Sequence, residues 1–167
     1  TPQRCCPAHS ARFPPRLVAN VLCLNSALTV AVGDAFKQAA DDYLTLMLNK
    51  GVPSTFANLK HLYSDSSKKS TLKELAEKYL TSQSSDSASK DKGEAAGLYY
   101  LAQHYNYHLS RDLNKATEYI DKAIEKDPKS VDFHTTKARI LKHAGNLQQA
   151  SEMMDRARKL DLKDRYI

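Results

Sequence analysis

Two stretches of this chain repeat each other at a spacing of 34 residues, which constrains its fold more than any other feature. Ala116, Ile120 and Ala123 recur as Ala150, Met154 and Ala157, preceded by Ala102 and Tyr105 in one copy and Ala138 and Leu141 in the other. Within each copy the residues stand four and three apart, so they lie along one face of a helix. Alanines on that face let a second helix approach closely. A unit that recurs at such a period cannot bury its apolar face alone and stacks against its neighbours. Stacked units present long binding surfaces, so the period favours binding over catalysis.

The helix–turn–helix pattern and its length resemble the tetratricopeptide repeat. The first unit spans 94–128 and the second 131–164. Leu98, Leu101, Ala102 and Tyr105 form the packing side of helix A in the first unit; Leu113, Ala116, Ile120, Ala123 and Ile124 form that of helix B. Pro128 ends the unit. Tyr105 to Ala116 is two residues longer than the pattern, so a bulged turn is expected from Asn106 to Asp112. In the second unit Ala138 and Leu141 pack in helix A, Gly145 makes the turn, and Leu147, Ala150, Met154 and Ala157 pack in helix B. No stretch alternates like a strand. The expected class is all-α, an α-solenoid of tetratricopeptide-type helix pairs that forms part of a longer array.

Ahead of the repeats, residues 34–80 form a further helical region. Asp34 is the expected N-cap of a helix whose face carries Phe36, Ala39, Ala40, Tyr43, Leu44, Met47 and Leu48, ended by Gly51. Pro53 suits the first turn of a second helix with Phe56, Leu59 and either Leu62 or Tyr63 inward. Thr71-Leu-Lys-Glu74 reads as a capping box opening a third helix with Leu72, Leu75, Ala76, Tyr79 and Leu80 inward. Residues 81–93, rich in Ser, Asp and Lys, hold too little apolar area to order a backbone and read as a flexible loop. Residues 1–33, with Pro14-Pro15 and no amphipathic period, read as an irregular or divergent segment.

The net charge is +6, and residues 1–33 carry three arginines and no acids. Elsewhere the signs are interspersed, which suits the solvated faces of helices and gives no specific nucleic-acid motif. Three cysteines, Cys5, Cys6 and Cys23, fit neither a disulfide framework nor a zinc spacing. The apolar run from Leu17 to Gly33 is interrupted by Asn20, Asn25 and Ser26 and is too short and polar to span a bilayer.

Motifs for catalysis are sparse. No Gly-x-Ser-x-Gly elbow or phosphate-cradling glycine loop occurs among five glycines. His104 and His108 have the spacing of a paired zinc ligand, but Tyr105 follows His104 where a catalytic glutamate would stand, so they read as surface histidines. A metal enzyme built on them is the least favoured reading. Helix A positions that line the groove of such an array are Ala96, Tyr99, Gln103 and Asn106, then Asp132, Thr135, Arg139 and Lys142. Of these, Tyr99, Gln103, Asn106, Arg139 and Lys142 carry the chemistry to bind. A carboxylate clamp needs Lys and Asn where the chain has Tyr99 and Gln103, and Lys142 with Asn146 straddles the turn.

Longer strings point to one family. Phe36-Lys-Gln-Ala-Ala-Asp-Asp-Tyr, Asn49-Lys-Gly-Val-Pro-Ser-Thr-Phe-Ala-Asn-Leu-Lys, Tyr99-Tyr-Leu-Ala-Gln-His-Tyr, Lys142-His-Ala-Gly-Asn-Leu and Asp161-Leu-Lys-Asp-Arg-Tyr-Ile resemble, in order, the large auxiliary subunit of the N-terminal acetyltransferase A complex. The wording is nearest to fungal members. The resemblance implies a non-catalytic helical scaffold around a catalytic subunit of the GNAT fold, acetylating nascent chains at the ribosome in the cytoplasm. It also implies that acetyl-CoA belongs to the partner and that inositol hexakisphosphate binds the complex through basic residues, for which Lys137, Lys142 and Arg165 are the candidates here. A general tetratricopeptide adaptor or co-chaperone that binds extended peptides is the alternative.

Overall fold

The computed structural model describes residues 28–82 and 88–161, and every regular element among them is helical. After a helical stretch at 28–30, these are in chain order α1 (Gly33–Asn49), α2 (Thr55–Leu59) running into a 3-10 turn (Lys60–Ser64), α3 (Ser66–Ser82), α4 (Ala88–Asn106), α5 (Leu113–Lys126), α6 (Val131–His143) and α7 (Leu147–Asp161). From α3 onward each helix packs chiefly on its sequence neighbours, whereas α1 packs mainly against α3 and α4. That is the layout of a solenoid, in which contacts are local.

Helix α4 holds the array together. From Ala95 to Tyr105 it is buried on nearly every side, which marks a helix enclosed by others rather than a surface helix. Ala96, Tyr100 and Leu101 face a core built with α1, α2 and α3, where Leu44, Leu48, Leu59 and Leu72 are buried. Ala95, Leu98, Tyr99, Ala102 and Tyr105 face a second core with Ala116, Ile120, Ala123, Phe133 and Ile140. The alanines of the 34-residue pattern behave as expected at Ala116, Ala123, Ala138 and Ala157, all buried. Gly97 lies against Leu80 of α3: a Cβ there would stand 2.8 Å from Leu80 Cδ2, so that side chain would have to shift.

Two helix ends close by the same device. Gly51 and Gly145 adopt φ of +66° and +87°. The N–H of each donates to the carbonyl three residues back, and the following N–H, of Val52 or Asn146, donates to the carbonyl five back. This is the Schellman pattern that satisfies terminal carbonyls, and it needs a residue free to enter the left-handed region.

The structure corrects several sequence expectations. Helix α1 begins at Gly33 with Val32 as N-cap, so Asp34 lies in the first turn, where its charge favours the helix dipole without capping it. Thr71 is inside α3, its hydroxyl donating to the Ser67 carbonyl, and Asp65 caps the helix instead by accepting from the Ser67 N–H at 2.9 Å. Helix α4 starts at Ala88, within the segment expected to be loop. Leu28 is fully buried in the first core, and Lys68 Nζ donates to the Leu28 and Thr29 carbonyls, so the folded part reaches back into the segment read as irregular. The cysteines, Pro14-Pro15 and residues 83–87 lie outside the described residues. Leu147 and Met154, expected to pack, are 67% and 45% exposed, because no described helix covers that face of α7.

Candidate functional site

The residues expected to line the groove fall on α4 and α6, the A helices of the two units. The connection after α4 is long, as the residue count implied. It is closed by the Asp112 N–H donating to the Tyr105 carbonyl at 2.8 Å and held by Lys69 Nζ on the Leu109 carbonyl. Asp112 then caps α5 through the Lys115 N–H. This loop carries Arg111 to the mouth of a cavity of about 350 Å³.

Gln103 and Asn106 of α4 and Arg139 and His143 of α6 line that cavity, with Lys60 from the 3-10 turn and Arg111 from the loop. Thus three of the groove residues read from the sequence meet here. Asn106 Oδ1 accepts from His143 Nδ1 at 2.7 Å, joining the two A helices. The His143 imidazole is pushed below its ordinary value by burial, then by the nearby charges of Arg111 and Lys142. Gln103 Nε2 is covered and has no acceptor among the described residues.

Tyr99 differs from expectation. It is buried between the two A helices, its ring 4.8 Å from that of Phe133, and its hydroxyl accepts from Thr136 Oγ1 at 3.2 Å. It is a packing contact that also borders a separate cavity of about 580 Å³ with Ala96, Asp132 and Lys50. Lys142 is exposed and lines neither cavity. Lys137 is held in an ion pair with Asp121 at 2.7 Å, bridging α6 and α5, and Arg165 lies outside the described residues. Register alone missed Lys60, Arg111 and His143, which come from an irregular turn, a lengthened loop and a helix end.

His104 and His108 do not form a pair. His104 is 3% exposed, with its Nδ1 2.8 Å from Tyr63 Oη, while His108 lies beyond the end of α4 and is exposed. The expectation of a surface histidine fails at His104 because α4 is enclosed on both sides. Among the described residues no group of three or more His, Cys, Asp or Glu side chains could hold a metal ion, and no helix is long and apolar enough to cross a membrane.

The family model for the auxiliary subunit of N-terminal acetyltransferase A matches residues 21–167. The chain belongs to the N-terminal acetyltransferase A auxiliary subunit family. Curated relatives include the N-terminal acetyltransferase A complex auxiliary subunit NAA15 of Arabidopsis thaliana, 37% identical over 79% of this chain and 15% of that protein. The human N-alpha-acetyltransferase 16, NatA auxiliary subunit, is 35% identical over 84% of this chain and 17% of that protein. This member of the family therefore spans about one-sixth of the length of those relatives. A chain in a solved structure of Naa15/Naa10 bound to HypK-THB is 62% identical, with a TM-score of 0.81 over 86% of this chain and 22% of that one. The all-α solenoid is thus shared with an auxiliary subunit of known structure.

Proposed function

We propose that this chain is a stretch of the non-catalytic scaffold of an N-terminal acetyltransferase A complex, and that the array to which it belongs holds a GNAT-fold catalytic subunit. The observation that carries this reading is the 62% identity and 0.81 TM-score to a chain from an Naa15/Naa10 structure. Helix pairs with local contacts give a curved support on which a smaller partner is held in one arrangement. Binding energy stored in such a support stabilises the active conformation of the partner's site. Acetyl-CoA and the reacting groups then belong to the catalytic subunit. Cytoplasmic, ribosome-bound acetylation of nascent chains is the setting that follows, and inositol hexakisphosphate is a ligand of the complex in the same reading.

The test is co-purification of the intact protein with its partners, followed by acetylation assays on peptides beginning with Ser or Ala. Recovery of a GNAT-fold subunit whose activity on those peptides rises in the complex is the expected result. Recovery of chaperones without such a subunit points instead to a general tetratricopeptide adaptor.

A further inference from the structure

The cavity at Arg139 has a composition unlike the rest of the surface. Elsewhere basic and acidic side chains alternate and pair, as in Lys122–Glu118, Lys126–Glu94 and Lys137–Asp121. Around this cavity Lys60, Arg111 and Arg139 converge from three separate segments with His108 and His143, and among the described residues no Asp or Glu lines it. Among the described residues none of Lys60, Arg111 and Arg139 makes an ion pair. Like charges gathered without counter-charges repel one another, and an anion in their midst relieves that repulsion.

Other parts of the lining narrow the class of anion. Phe56, Ala57 and Tyr107 supply an apolar wall, and Gln103 brings a side-chain amide whose Nε2 lacks an acceptor. The terminal torsion of a glutamine is soft, so an acceptor in the cavity can take up that donor. A bare phosphate has no use for an apolar wall, whereas a peptide offers carboxylates for the cations, methylenes for the wall and carbonyls for the amide. At about 350 Å³ the cavity holds a few side chains rather than a folded domain. Arginine forks at Arg111 and Arg139 suit carboxylates, which they can grip with two parallel hydrogen bonds.

We propose that this cavity, framed by Lys60, Arg111 and Arg139, docks an acidic peptide segment of a partner protein through its side-chain carboxylates. The site needs no consensus clamp, because its cations come from irregular turns as well as from the A helices. It holds whether or not the array supports an acetyltransferase, since the binding is measured on the intact protein alone.

Fluorescence anisotropy of the intact protein with a labelled alternating Glu/Ala peptide, its Gln/Ala counterpart and, separately, competition by inorganic phosphate provides the test. The acidic peptide is expected to bind at least about tenfold more tightly than the neutral one, as close charge pairs require. Arg139→Glu and Lys60→Glu each lower its affinity by about tenfold or more, whereas Lys159→Glu, exposed on α7 and outside the cavity lining, changes it by less than about twofold. Lys60 and Arg139 are both exposed, and circular dichroism verifies that the variants fold. The double variant Arg139→Glu/Lys60→Glu is expected to take up an alternating Lys/Ala peptide instead. Equal affinity for the acidic and neutral peptides overturns the proposal, as does a loss with Lys159→Glu matching that with Arg139→Glu. Phosphate binding that depends on Arg139 without peptide binding overturns it in favour of a small-anion site.

Discussion

Tyr63 Oη stands 2.8 Å from His104 Nδ1 and 3.2 Å from Tyr100 Oη, so a hydroxyl from the 3-10 turn joins two buried polar groups of α4. A neutral imidazole that accepts at Nδ1, with Tyr63 donating to it and accepting from Tyr100, satisfies this chain. Burial holds the His104 pKa down at about 4, with the charges of Lys73 and Lys69 acting in the same direction. The folded-state value is below the unfolded one, so the stability from this group is fully present above about pH 6.5 and is lost as pH falls through about 4. The gap corresponds to about 3 kcal/mol at most. Urea titrations between pH 7 and pH 4 are expected to show this loss in the parent, with a smaller slope in His104→Gln; parallel slopes would contradict it.

The same hydroxyl makes a second prediction. Tyr63→Phe keeps the ring contacts to Phe56 and Tyr107, with centroids at 5.3 and 5.5 Å, and removes only the junction of the polar chain. A cost of about 1–3 kcal/mol is expected from leaving buried partners unpaired. Equilibrium denaturation measures it, and an unchanged midpoint would mean that water replaces the hydroxyl.

Gly97 and Gly145 separate two reasons for lacking a side chain. At Gly97 an added Cβ meets Leu80, so Gly97→Leu overpacks the α3–α4 contact and is expected to cost about 1–3 kcal/mol. At Gly145 nothing lies within 4 Å, yet φ is +87°. Gly145→Ala is therefore expected to cost about 1 kcal/mol through backbone strain alone. Gly145→Asn should recover part of that loss, because asparagine tolerates left-handed conformations, and thermal melts of the three variants rank them.

Much of this architecture was legible because a small residue at helical spacing has one common use. Ala116, Ile120 and Ala123 could be placed at a helix contact from spacing alone, and Gly51 and Gly145 marked the ends where a left-handed residue was required. Repeat register put Gln103, Asn106 and Arg139 on one side of the A helices, and they line one cavity. Lys60 and Arg111 were not legible in this way, because a 3-10 turn and a lengthened loop have no register. Thr71 and Glu74 satisfied a capping pattern that also occurs inside helices, while Asp65 capped α3 from a sequence with no apolar cue beside it. Burial was the least legible quantity. His104 and Tyr99 are covered by helices distant in sequence, whereas Leu147 and Met154 hold packing positions that no described helix covers.

The last prediction compares the two copies of the repeated alanine. Ala116 is fully buried between α4 and α5, whereas Ala150 is 9% exposed, with exposed Leu147 and Met154 on its own helix. A leucine at 116 has no space into which its added atoms can move and forces the helices apart. At 150 the added atoms can lean toward the open side of α7. Ala116→Leu is expected to cost about 1–3 kcal/mol and Ala150→Leu distinctly less. Denaturant unfolding of the two variants decides it: equal costs would mean that the face of α7 carrying Leu147 and Met154 is covered in the intact protein, as it is when a further helix pair stacks there.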